Sequence, residues 1–76
     1  MKTVWTNGCF DILHRGHIEM FKFAKSLGDQ LIVGLDTDEK VKEAKGDDRP
    51  FNTLVDREFV VSSIRYVDKT FSFNSQ

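Results

Sequence analysis

Asn7-Gly8-Cys9-Phe10-Asp11-Ile12-Leu13-His14-Arg15-Gly16-His17 is the stretch that decides the fold. Before it, Thr3-Val4-Trp5-Thr6 mixes β-branched and aromatic residues, as a short buried strand does. After it, Ile18 to Leu27 reads as a helix. Met20, Phe23, Ala24 and Leu27 recur at i, i+3, i+4 and i+7, with Phe21 beside them. The stretch is therefore a strand–loop–helix junction, and it holds both histidines of the chain. A helix N-terminus presents unpaired N–H groups and a partial positive charge, so an anion placed there is already half solvated. Gly8 and Gly16 carry no Cβ, which would let the backbone approach a bound group closely.

Working outward, Gly28 is expected to stop the helix in a left-handed conformation, and Gln30 to Leu35 is a short apolar run that reads as a second strand. Strand, helix and strand at this spacing make a right-handed parallel βαβ unit. A short helix is expected around Glu39 to Ala44, with Asp38 as its N-cap, and then a loop at Lys45-Gly46-Asp47-Asp48. Pro50 keeps Arg49 extended. Thr53-Leu54-Val55-Asp56 fits a capping box for the next helix, which should turn Leu54, Phe59 or Val60, Val61 and Ile64 inward. Val67 to Phe73 reads as a third strand with Phe71 and Phe73 on one face. Phe10, Phe21, Phe23, Phe59, Phe71 and Phe73 are core candidates, whereas Phe51 is expected to be exposed in its loop. The pattern is the first half of a doubly wound α/β domain, residues 1–76, with a parallel sheet and helices on both faces.

Seventy-six residues allow one small domain, and 39% hydrophobic with 30% charged residues reads as globular. A net charge of −1 gives no broad field to attract a nucleic acid polymer or a membrane, so any anion site must be local. One cysteine makes no intrachain disulfide and fits a reducing cytoplasm. There is no bilayer-length apolar run and no signal-peptide pattern.

Gly8-Cys9-Phe10-Asp11-Ile12-Leu13-His14-Arg15-Gly16-His17 resembles the G-x-F-D-x-x-H-x-G-H motif of the cytidylyltransferase-like nucleotidyltransferases. Lys45 to Asn52 resembles the nucleotidyltransferase domains of ADP-heptose synthases. Asp36-Thr37-Asp38-Glu39 and Ile64-Arg65-Tyr66-Val67-Asp68 look more like glycerol-3-phosphate cytidylyltransferases. The resemblance runs from about Val4 to Phe73 and implies a Rossmann-like, HUP-type fold. Family members continue with further strands and an R-x-x-G-I-S-T-T-like segment that this sequence lacks. Thr3 to Thr6 is therefore expected to be an exposed sheet edge.

What the resemblance implies is transfer of CMP or AMP from CTP or ATP to a small phosphorylated sugar or polyol, with Mg²⁺ and release of pyrophosphate. His14 and His17 would be the catalytic donors. Gly8, Cys9, Phe10, Asp11, Gly16, Lys45 and Arg57 would bind nucleotide or phosphate, Asp11 by supporting the loop. A homodimer is expected by the same resemblance. Three local readings stand beside these. Two isolated histidines more often pack a loop and cap a helix; Lys45 and Arg49 are as readily solvated surface cations; Cys9 is a small apolar filler with no base to activate it. Two histidines and one cysteine are too few soft ligands for zinc. A phosphate-binding module without turnover, or an α/β interaction domain with incidental histidines, are the alternatives from other functional classes.

Overall fold

The structure is a computed structural model and describes residues 1–73. The elements run β1 (Thr3–Gly8), α1 (Arg15–Ser26), β2 (Gln30–Asp36), α2 (Asp38–Lys45), α3 (Leu54–Ser62) and β3 (Lys69–Phe73). The three strands pair in parallel in the order β1-β2-β3, the Rossmann-like α/β arrangement expected. Val4, Thr6 and Gly8 stand in register with Leu31, Val33 and Leu35. Because side chains alternate along a strand, these six share one sheet face. Leu31, Val33 and Leu35 are fully buried there with Phe21 of α1 and Val61 of α3, and Ala24 of α1 is buried beside them. Burying side chains of this size contributes about 1.5–3 kcal/mol each. α1 and α3 thus pack on that one face, rather than on opposite faces as the sequence pattern suggested. Trp5, Gly34 and Phe71 share the other, where the indole meets the Phe71 ring edge-on at 5.2 Å. Lys40 of α2 lies 4.5 Å from the Phe73 ring. Among the described residues β1 pairs with β2 alone.

Asp68 ties the layers together: its carboxylate accepts from Lys25 Nζ at 2.6 Å and from the Leu31 backbone N–H at 2.7 Å. Those two donors, more than any other cause, hold it below the ordinary 3.8.

Several sequence expectations are corrected. The buried side of α1 is Phe21 and Ala24, whereas Met20, Phe23 and Leu27 face outward; both stripes obey helical spacing, and the sheet meets the one through Phe21. Phe59 is 73% exposed, because α3 turns Arg57 and Val61 inward instead. Gly28 is not left-handed. It is needed because an added Cβ would stand 2.7 Å from the Lys2 carbonyl oxygen, so β1 passes too close for a side chain. Gly46, with φ of 110°, is the glycine that ends a helix. Thr53 is the N-cap of α3 but makes no side-chain cap bond, so the capping box is not formed. The N-cap of α2 is Thr37, one residue before Asp38.

Candidate active site

The loop from β1 to α1 is shaped by Phe10, whose φ of 53° places it in the left-handed region. That costs an L-residue about 1–2 kcal/mol. The turn drives the ring inward over Gly8, where an added Cβ would stand 3.0 Å from it, and against His17 and Phe21 at centroid distances of 5.6 and 5.3 Å. Gly8 is thus explained by the protein's own packing, without a phosphate close to its backbone.

His14 is the N-cap of α1, and the two imidazoles cap the helix reciprocally. His14 Nδ1 accepts the Gly16 N–H at 3.0 Å, and His17 Nδ1 accepts the His14 N–H at 3.1 Å. Gly16 is required for this: a Cβ there would stand 2.8 Å from His14 Cε1. An Nδ1 that accepts carries no proton, so the proton of each ring is on Nε2, where it can be donated. The rings lie 4.1 Å apart at a tilt of 41°. Burial and then the neighbouring His14 push the His17 pKa below the ordinary 6.5, so His17 is neutral at neutral pH. The pair therefore presents two Nε2–H donors at a helix N-terminus, and the capping role and the donor role are one geometry.

The same loop is braced from a distance. Asp11 is buried, and its carboxylate accepts from the Phe51 N–H at 2.7 Å, the Asn52 N–H at 2.7 Å and Arg49 Nε at 3.1 Å. Burial alone would raise the Asp11 pKa, but these donors outweigh it and hold the carboxyl below 3.8. Asn52 Nδ2 returns a bond to the Asp11 carbonyl at 2.6 Å. Arg49 lies 4.6 Å over the Phe51 ring, which is exposed as expected.

Arg57 is where sequence and structure part. Its guanidinium is fully buried, and four of its five N–H groups are spent inside the protein. Nε donates to the Asn52 carbonyl, Nη1 to the Cys9 and Asp36 carbonyls, and Nη2 to the Asp38 carboxylate at 2.6 Å. Three loops at the carboxyl edge of the sheet are pinned to one planar cation. Arg57 is a brace, not an open phosphate clamp, and Asp38 is its ion-pair partner. Cys9 contributes its carbonyl to this brace. Lys45 is exposed at the last turn of α2, where a cation suits the helix dipole. Asn52 was missed by sequence reasoning: its partners lie 41 positions away, and only its place in a polar loop marked it. Among the described residues no three His, Cys, Asp or Glu side chains could hold a metal ion, and the Asp11 carboxylate already accepts from three protein donors.

The cytidylyltransferase-like family model matches residues 5–76, nearly the whole chain. The chain belongs to the cytidylyltransferase-like family. Within it, the chain is 54% identical over 67 residues to the bifunctional protein HldE of a Nitratiruptor species, covering 88% of this chain and 14% of that protein. It is 47% identical over 75 residues to HldE of Aliarcobacter butzleri, covering 99% and 16%. The chain thus spans about one-seventh of the length of these relatives. The crystal structure of a lipopolysaccharide core biosynthesis protein from Thermoplasma volcanium superposes with a TM-score of 0.87 at 32% identity. It matches 95% of this cytidylyltransferase-like chain and 57% of its own. No helix among the described residues is long and apolar enough to cross a membrane.

Proposed function

We propose that this chain carries the phosphate-handling half of a nucleotidyltransferase site, transferring CMP or AMP from CTP or ATP to a phosphorylated sugar or polyol. The observation that carries the reading is the reciprocal imidazole cap, which leaves two Nε2–H donors beside the N–H groups of α1. In such a transfer an acceptor phosphate oxygen attacks the α-phosphorus, the bond to the β-phosphate oxygen breaks, and pyrophosphate leaves. Negative charge builds on non-bridging and leaving oxygens, so positioned donors lower the barrier and no covalent nucleophile is needed. His17, held by Phe10, faces the α-phosphate, and His14 the leaving phosphates. His17, kept neutral by burial, still donates through its Nε2–H, because its Nδ1 is the nitrogen that accepts. Mg²⁺ enters with the nucleotide as part of the substrate, because the chain's own carboxylates are otherwise engaged or scattered.

A second reading, in which this chain binds nucleotide phosphates without turnover, is supported by the same geometry, since both imidazoles already serve the helix as its cap. Pyrophosphate release from CTP or ATP with a sugar phosphate separates the two: release that falls about 10²–10³-fold in His17→Ala supports transfer. Binding with no release supports the second reading. The outward stripe of Met20, Phe23 and Leu27 on α1 favours a homodimer, which sedimentation at assay concentration would test, and the single cysteine favours the cytoplasm.

A further inference from the structure

A cleft of about 210 Å³ lies between the β1–α1 loop and the start of α3, bordered by Ile12 and Leu13 on one side and Asn52, Asp56 and Val60 on the other. Phe10 lines it too and packs on His17, so the cleft adjoins the imidazole pair through one shared ring. A cavity of about 150 Å³ accommodates a six-membered carbon ring. This cleft has room for such a ring with its substituents. Asp11 and Arg57 also line it, but their charges are committed, to Arg49 and Asp38 respectively. The Asp56 carboxylate is not: among the described residues it makes no hydrogen bond or ion pair, although it stands at the cleft wall.

The geometry points to a subsite for the neutral, hydroxyl-bearing ring of the acceptor, with Asp56 accepting its hydroxyl protons. This rests on the nucleotidyl-transfer reading above and adds where the sugar sits. Charge makes the division. The uncommitted carboxylate repels phosphate, which goes to the α1 N-terminus and the imidazole donors. A sugar ring carries no charge, offers O–H donors to a carboxylate, and presents C–H faces to walls such as Phe10, Ile12 and Val60. Ile12 is 58% exposed and Val60 49% exposed, so both are free to meet it. The N-cap bond that a capping box would have taken from this region is absent, so Asp56 is not tied back to Thr53.

Amide ¹H–¹⁵N spectra of the whole chain, titrated with inorganic phosphate and separately with mannose 1-phosphate, test both statements. Inorganic phosphate should shift Gly16, His17 and Ile18 only. Mannose 1-phosphate should shift these and also Ile12, Asn52 and Asp56. Asp56→Ala, an exposed position, should abolish the second set and weaken mannose 1-phosphate roughly tenfold while leaving phosphate binding unchanged. If mannose 1-phosphate moves only the residues that phosphate moves, or if Asp56→Ala binds it as tightly, the sugar subsite is overturned and the phosphate site stands. If phosphate shifts nothing at Gly16 to Ile18, the nucleotidyl-transfer reading fails, and shifts confined to Ile12, Asn52 and Asp56 would leave a sugar cleft without it. No shift with either probe overturns both.

Discussion

The imidazole cap at residues 14–17 and the Asp11–Arg57 brace border the same loop, yet they are held in different ways. The cap closes over four residues: its bonds run between positions two and three apart. The brace closes over 40 positions and more, between Asp11 and Phe51, Asp11 and Asn52, and Cys9 and Arg57. A local device can be exposed and still keep its geometry, because the helix supplies its frame. A long-range device must be buried and fully paired, since an unpaired charge inside is costly. The two should therefore fail differently. Breaking the brace should unfold the chain, whereas breaking the cap should spare the fold and remove the donors.

The largest effect is expected at Asp11. Asp11→Ala strands two backbone N–H groups and the Arg49 guanidinium, and should cost about 3–5 kcal/mol of stability by urea denaturation. A cost no larger than that of an exposed alanine substitution would break the distinction. Arg57→Lys comes next. An ammonium places its donors at one point and cannot reach four acceptors in a plane, so about 1.5–3 kcal/mol should be lost with charge retained. Gly16→Ala sharpens the other side. Alanine is the better helix former, yet its Cβ displaces His14, so nucleotide binding should weaken while the unfolding midpoint changes little.

Acid should separate the regions by pH. The His17 pKa is lowered by folding, so as pH falls below 6.5 the unfolded chain takes the proton first and stability declines toward the folded value. Asp11 contributes stability that is complete above 3.8 and is lost as pH falls through its lower folded pKa. His17→Gln should flatten the first slope and leave the second; an unchanged first slope would place the titration elsewhere. The smallest effect is expected at Phe59→Ala, within about 0.5 kcal/mol, because its ring is mostly in solvent.

The range of these contacts also decides what could be read from sequence. The strand–loop–helix junction was legible because glycines, histidines and the following periodicity lie within a dozen residues of one another. The βαβ order followed from the same run. The face of α1 was misread because Met20, Phe23 and Leu27 obey helical spacing as well as the buried residues do. Periodicity alone does not say which stripe meets the sheet. Arg57 looked like a phosphate ligand because a cation in a first helical turn has no local reason to be there. Its reason is the carbonyls of Cys9 and Asp36, which only the folded chain brings to it. Asn52 escaped for the same reason.

A thermal-shift titration of this chain with Mg·CTP and with Mg·ATP, beside His17→Ala, tests most directly that the imidazole cap is a nucleotide-phosphate site. At a hundredfold excess over Kd a ligand specific to the folded state adds about 2.7 kcal/mol, which raises the melting temperature of a domain this small by several degrees. The account predicts such a shift with at least one nucleotide and its loss in His17→Ala, with the variant's own melting cooperative. No shift with either nucleotide, or an equal shift in the variant, would contradict it.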